Sequence, residues 1–109
     1  MDATFRAISD PSRRAILDLL AEGERSVSDL LGFFTFSQPA LSQHLKVLRD
    51  AGLVLSKPVG RQRQYALNAE GLRSVADWVR AYERFWTEKL DGLGAVLDRE
   101  AAKEREIKP

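Results

Sequence analysis

The sequence contains no cysteine and a single histidine, His44. The first absence excludes disulfides, thiolate metal sites, iron–sulfur clusters and cysteine nucleophiles, and the second excludes a zinc centre built from several imidazoles. Long apolar runs are missing too, since no stretch approaches the ~20 residues that span a bilayer. The first residues, MDATFRAISD, carry no basic segment followed by an apolar one, so the expectation is a cytoplasmic protein with no membrane contact. A serine nucleophile would need a base and an oxyanion hole, and His44 with scattered carboxylates supplies neither. An enzyme is therefore the least favoured class, and no metal or cofactor is expected.

What is present suits one compact domain. The 109 residues are 44% hydrophobic and 30% charged, and a chain of this length buries roughly two thirds of its extended surface. The net charge of +1 hides an asymmetry. Between Ser37 and Ala69 the charges are Lys46, Arg49, Lys57, Arg61 and Arg63 against Asp50 alone, whereas the remainder is net acidic. Positive charge gathered in one third of a chain is what a face that meets a polyanion requires.

Local signals divide the chain. Phe5 and Ile8 suggest a short first helix. Asp10 is placed to cap the next, with Pro11 at the first helical position, Ile16, Leu17 and Leu20 inward, and Gly23 available for a left-handed end. Ser26 and Asp29 have the spacing of a capping box, which predicts a helix over about 27–34. Ser37 then caps a helix that runs to about Asp50, before Gly52. On that helix Leu41, Leu45 and Leu48 make one apolar face, with Ser42, Gln43, Lys46 and Arg49 on or near the other side. Two short helices joined tightly at Thr35-Phe36, the second polar outward, form a helix-turn-helix over about 27–50.

From Leu53 the period changes. LVLSKP and RQYAL read as the strands of a hairpin, over about 53–67, with Gly60 in its turn. A hairpin after such a helix is a wing. Asn68 can cap a last helix over about 69–102, whose apolar positions are Leu72, Val75, Val79, Tyr82, Trp86, Leu90, Leu93 and Leu97, with Trp78 and Phe85 one heptad apart. That surface exceeds what a small core can cover, so part of it is expected to meet a second copy of the chain. The fold class is mainly α with a small β-hairpin, a winged helix-turn-helix with a long C-terminal dimerisation helix.

The segments AISDPSRRAILDLLAEGERSVSDL, SQPALSQHLKVLRDAGLV and GRQRQYALN, spanning nearly all of residues 5–68, resemble the ArsR-type winged-helix repressors of bacteria and archaea. The resemblance implies a homodimer paired through the first and last helices, which adds Phe5 and Ile8 to the interface. It also implies two recognition helices in successive major grooves of an imperfect palindrome, and repression that a signal relieves. Arsenic-sensing members carry Cys-Val-Cys-Asp-Leu where this chain has Ser26-Val27-Ser28-Asp29-Leu30, and hydroxyls are poor ligands for soft metals. Zinc-sensing members use histidine and carboxylates on the last helix, where this chain has Asp77, Glu83, Glu88 and Asp91 without histidine. Leu31-Gly32-Phe33-Phe34 also departs from the family pattern. The ending RAYERFWTEKLDGL resembles a branch whose genes neighbour those of START-like ligand-binding proteins.

The candidate partner is double-stranded DNA. Glutamine bridges adenine N6 and N7 in the major groove and serine pairs with several base edges, which nominates Gln38, Ser42 and Gln43, with Ser37 and the Pro39-Ala40 surface beside them. Lys46, Arg49, Lys57, Arg61 and Arg63 suit phosphates. His44 is open between packing near the preceding helix and a phosphate contact. Phe33, Phe34 and Phe36 read first as core, with an effector pocket or partner contact as alternatives. Trp78, Tyr82, Phe85 and Trp86 read as dimer or core packing, or as a cleft for a small apolar effector. The runner-up function is a winged-helix protein-interaction module that no longer reads DNA.

Overall fold

The structure, a computed structural model, describes residues 2–89. Residues up to Val75 form one compact unit and the chain from Ala76 a second. The first contains α1 (Asp2–Ile8), α2 (Pro11–Glu22), β1 (Arg25–Ser26), α3 (Val27–Leu31), α4 (Gln38–Asp50), β2 (Val54–Val59), β3 (Gln62–Leu67) and a 3-10 turn (Ala69–Leu72), after which α5 (Arg73–Arg80) begins. The three strands form an antiparallel sheet in the order β1-β3-β2. The expected wing is thus two of three strands: Arg25 pairs with Tyr65 and Ser26 with Gln64, a two-residue pairing with no sequence signal of its own.

The core is the meeting of three apolar faces. Ile16, Leu17 and Leu20 of α2, Leu41, Leu45 and Leu48 of α4, and Leu53, Val54 and Tyr65 of the hairpin are buried together with Leu30 and Ala7. The corner between α1 and α2 is tied by polar atoms. Asp10 Oδ1 accepts the N–H groups of Ser12 (2.7 Å) and Arg13 (3.3 Å). Arg13 Nε and Arg14 Nη1 donate to the carbonyls of Ala7 and Ile8, each at 2.7 Å. The arginines satisfy the carbonyls that a helix end leaves without partners. Partial burial raises the Asp10 carboxyl, but the Ser12 and Arg13 N–H groups and the Arg13 guanidinium outweigh it and hold the group below the usual carboxylate range.

Several local expectations hold and others are corrected. The capping box is reciprocal, with Asp29 N–H donating to Ser26 Oγ (3.1 Å) and Ser26 N–H to Asp29 Oδ2 (3.4 Å). However, α3 stops at Leu31, short of residue 34, because from Gly32 onward the bonds reach back three residues: Gly32 to Asp29, Phe33 to Leu30, Phe34 to Leu31. Gly23 is almost fully extended (φ 155°, ψ 166°) where a left-handed end was expected, so the chain leaves α2 straight into β1. Gly52 does take positive φ (76°), and α4 closes with Leu53 N–H on Leu48 O and Gly52 N–H on Arg49 O, the Schellman pattern.

Asn68 does not cap a helix. Its side chain donates instead to Gly52 O (2.8 Å), while its own N–H bonds Leu53 O (2.9 Å). The two strands of contact close the end of the hairpin onto the end of α4. Gly71 lies against the same backbone, so that an added Cβ would stand 2.1 Å from Gly52 O. The uninterrupted last helix is corrected as well. Residues 69–72 are a 3-10 turn, α5 ends at Arg80, and helix resumes over 83–89 after a turn at 81–82 in which Tyr82 N–H bonds Val79 O and Phe85 N–H bonds Tyr82 O. The rest of the expected helix lies outside the described residues.

Two outcomes test this account. Gly71→Ala is expected to lose about 1–3 kcal/mol by forcing apart backbone that no rotamer can relieve, read as a lower urea midpoint at unchanged slope. For Asp10, a lowered folded-state pKa means stability present above the ordinary value near 3.8 and lost as pH falls through the lower folded value. The stability difference between the wild type and Asp10→Asn, which keeps a capping oxygen, should therefore be constant from pH 5 to 7 and shrink only in acid.

Candidate nucleic-acid interface

The rotation of α4 is set by its leucines. Leu41 and Leu48 are fully buried and Leu45 is 1% exposed, so the opposite side must face solvent, and Gln38, Pro39, Ser42, Gln43, Lys46 and Arg49 are all exposed. Ser37, also exposed, caps the helix by accepting the Ala40 N–H (3.3 Å), with Pro39 in the first turn where a missing N–H costs nothing. At about 100° per residue, Pro39, Gln43 and Lys46 point directly away from the core. Gln38, Ser42 and Arg49 lie on one flank of that face and the half-buried Ala40 and His44 on the other.

The hairpin stands beside the first flank. Its register is Val59 opposite Gln62, Pro58 opposite Arg63, Lys57 opposite Gln64 and Ser56 opposite Tyr65, with Gly60 (φ 62°) first in a two-residue turn that also holds Arg61. Glycine in that place allows a twist matched to the strands. Between α3, the start of α4 and the hairpin turn lies a cleft of about 310 Å³. Gln38 and Ser42 line it from α4, Arg61, Gln62 and Arg63 from the hairpin, Ser28 from α3, and Tyr65 is also among its walls.

Four of the nominated residues, Gln38, Ser42, Arg61 and Arg63, thus line one cleft, and Lys57 stands apart from them. Because side chains alternate along a strand, Lys57 and Gln64 lie on the other face of the hairpin from Arg63 and Tyr65. There Lys57 borders a separate hollow of about 430 Å³, with Nζ 3.5 Å from the Glu24 carboxylate. By contrast Lys46, Arg49, Arg61 and Arg63 have no carboxylate at ion-pair distance among the described residues. Ser28 and Gln62 had no sequence signal, because nothing local to α3 announces that it abuts the hairpin turn.

The aromatic residues near α4 part company. Phe34 and Phe36 stack (centroids 4.6 Å, planes 13° apart) and are partly buried against the core. His44 meets the edge of Phe36 at 5.3 Å, and its Nδ1 is buried without a hydrogen-bond partner among the described residues. Phe33 is corrected from core to surface: it is 55% exposed, with the Arg25 guanidinium 4.8 Å above its ring. The early end of α3 leaves it on the turn. Arg25 is held there by Glu22 (3.2 Å).

The nominated contact residues on α1 differ, with Ile8 packed on the core and Phe5 half-buried. Val75 is half-buried as well. In the second unit Trp78, Tyr82 and Trp86 are 51%, 46% and 50% exposed, and Trp78 meets Tyr82 edge-on at 5.5 Å. Tyr82 and Phe85 centroids are 6.5 Å apart, the Arg84 guanidinium covers Phe85, and Val79 is half-buried. Leu90, Leu93 and Leu97 lie outside the described residues. Among those described, no three histidine or carboxylate side chains are grouped so as to hold a metal, and no helix is long and apolar enough to cross a membrane.

A helix-turn-helix followed by a hairpin that flanks the exposed face of its second helix defines a winged helix-turn-helix protein. Residues 10–56 match the bacterial regulatory protein arsR family. The chain is 40% identical to the HTH-type transcriptional regulator Rv2034 of Mycobacterium tuberculosis, over 91% of this chain and 90% of that one. It is 38% identical to the transcriptional repressor SdpR of Bacillus subtilis, over 72% and 88%. A crystal structure of an ArsR family transcriptional regulator superimposes with a TM-score of 0.71 at 31% identity, covering 79% of this chain and 89% of that one. The protein belongs to the arsR family of bacterial regulatory proteins, a family of regulators rather than enzymes.

The exposed polar residues of α4 have no structural task, and stability should show it. Ser37→Ala is expected to cost about 1 kcal/mol through the lost cap. Ser42→Ala and Gln43→Ala should each stay within about 0.5 kcal/mol of the parent in urea denaturation.

Proposed function

We propose that this protein is a cytoplasmic transcriptional repressor that binds double-stranded DNA as a homodimer at a palindromic operator and is released by a signal that does not act through thiolates. The observation that carries the proposal is the joining of an uncompensated cationic hairpin turn to the polar face of a rigidly seated helix. An α-helix of this kind fits the major groove, where Gln43 would face the base edges, with Gln38 and Ser42 alongside. Lys46, Arg49, Arg61 and Arg63 are cations free to neutralise phosphates, and His44 would meet DNA only by its exposed part. The half-exposed ring series Trp78, Tyr82 and Trp86 supports pairing with a second copy, or a small apolar effector held at that surface. Ser26 and Ser28 in place of the paired cysteines of arsenic sensors, together with the absence of cysteine, support the signal being of another kind.

The test is fluorescence anisotropy on the DNA upstream of the protein's own gene and on a scrambled duplex, across a salt series. A preference of ~10³-fold or more with affinity falling steeply in salt is expected for an autoregulating repressor. No binding at low salt would instead favour a protein-interaction module. In the same titration Gln43→Ala should cost about 1–3 kcal/mol on the preferred duplex and little on the scrambled one. Arg61→Ala should weaken both alike and flatten the salt dependence. Lys57→Ala, on the far face of the hairpin and already beside Glu24, should change the slope less than Arg61→Ala.

A further inference from the structure

We infer that the cleft between α3, the start of α4 and the hairpin turn is a seat for a single phosphate group, and that Ser28 is among its ligands. The inference rests on the DNA reading above for the source of that phosphate, the sugar–phosphate backbone. Three features of the cleft carry it. Its charged side chains are two guanidinium groups, Arg61 and Arg63, with no carboxylate on its walls and none at ion-pair distance from either arginine among the described residues. Two hydroxyls and a carboxamide complete the polar side-chain lining, Ser28 and Ser42 with Gln38, all of them exposed. These are neutral donors that a phosphate oxygen accepts from, arranged around a planar cation that pairs with phosphate oxygens in a fork.

Two other hollows on this unit lack that character. The hollow on the far face of the hairpin has Glu24 next to Lys57, and the one between α1 and the end of α4 has Asp50 with Arg6. In each a carboxylate opposes the cation and repels an anion. The cleft also draws on three separate elements, so a phosphate there would fix the distance between the recognition helix and the wing. Ser28 is suited to this duty because the capping box is built by Ser26 and Asp29 and leaves the Ser28 hydroxyl uncommitted.

A shared seat and two independent contacts differ in the salt slope. Each phosphate neutralised on duplex DNA contributes about 0.9 to the slope of log K against log salt. If Arg61 and Arg63 hold one phosphate, Arg61→Ala/Arg63→Ala should lower the slope by about 0.9, and Ser28→Ala should weaken binding roughly 5-fold or more in the parent but not in that double variant. A fall of about 1.8, or a Ser28→Ala variant that binds as the parent does with an unchanged urea midpoint, overturns the seat. A parallel arm uses inorganic phosphate, titrated to tens of millimolar against chloride at matched ionic strength while amide resonances are followed by NMR. Shifts confined to residues 28, 38, 42 and 61–63, and absent in the double variant, support the seat; no shift overturns it. If no DNA binds at low salt, the repressor reading fails and the phosphate arm alone decides the seat.

Discussion

Leu41, Leu45 and Leu48 are sealed in the core, and everything at the functional surface depends on that seating. A helix buried along one stripe cannot rotate about its axis without exposing several apolar side chains, at a cost of about 1.5–3 kcal/mol for each one uncovered. The outward direction of Gln43, and the flank on which Gln38 and Ser42 sit, follow from this burial rather than from any contact of their own. The polar face is thereby free of structural duty, so the residues on it can vary without disturbing the fold.

The position of the wing relative to that helix is held by a smaller device. Asn68 links the end of β3 to the segment that follows α4, donating from its side chain and its backbone to the carbonyls of Gly52 (2.8 Å) and Leu53 (2.9 Å). Gly71 lets the following turn close directly on the same backbone. Backbone anchoring at the base of the hairpin determines where Arg61 and Arg63 stand at its tip. The two-residue strand β1 secures the other edge of β3 and ties α3 into the same sheet.

Charge is arranged with equal economy. Four acidic groups of the first unit lie in pairs, Asp10 with Arg13, Glu22 with Arg25, Glu24 with Lys57 and Glu70 with Arg73. Such exposed pairs add little to stability, on the order of 0–1 kcal/mol. Their consequence is electrostatic: Arg13, Arg25, Lys57 and Arg73 are neutralised locally, while Lys46, Arg49, Arg61 and Arg63 have no such partner among the described residues. The field of a chain with net charge +1 is thereby concentrated on one face.

The sequence by itself determined the helices with strong local grammar. Asp10-Pro11, Ser26 with Asp29, Ser37 with Pro39, and Gly52 are cap and stop signals whose bonds span two to five residues, so α2, α4 and the start of α3 were legible. The leucine period of α4 and the glycine turn of the hairpin were legible for the same reason. Tertiary structure decided what depends on residues far apart in the chain. It added β1, turned Asn68 from a helix cap into a clasp on Gly52, left Phe33 beneath Arg25 outside the core, and broke the last helix at 81–82. It also brought Ser28 and Gln62, 34 positions apart, into one cleft and placed Lys57 on the opposite face of the hairpin from Arg63. Local bonding energies are written in neighbouring residues, whereas the side of a sheet or the wall of a cleft exists only once separate elements have packed.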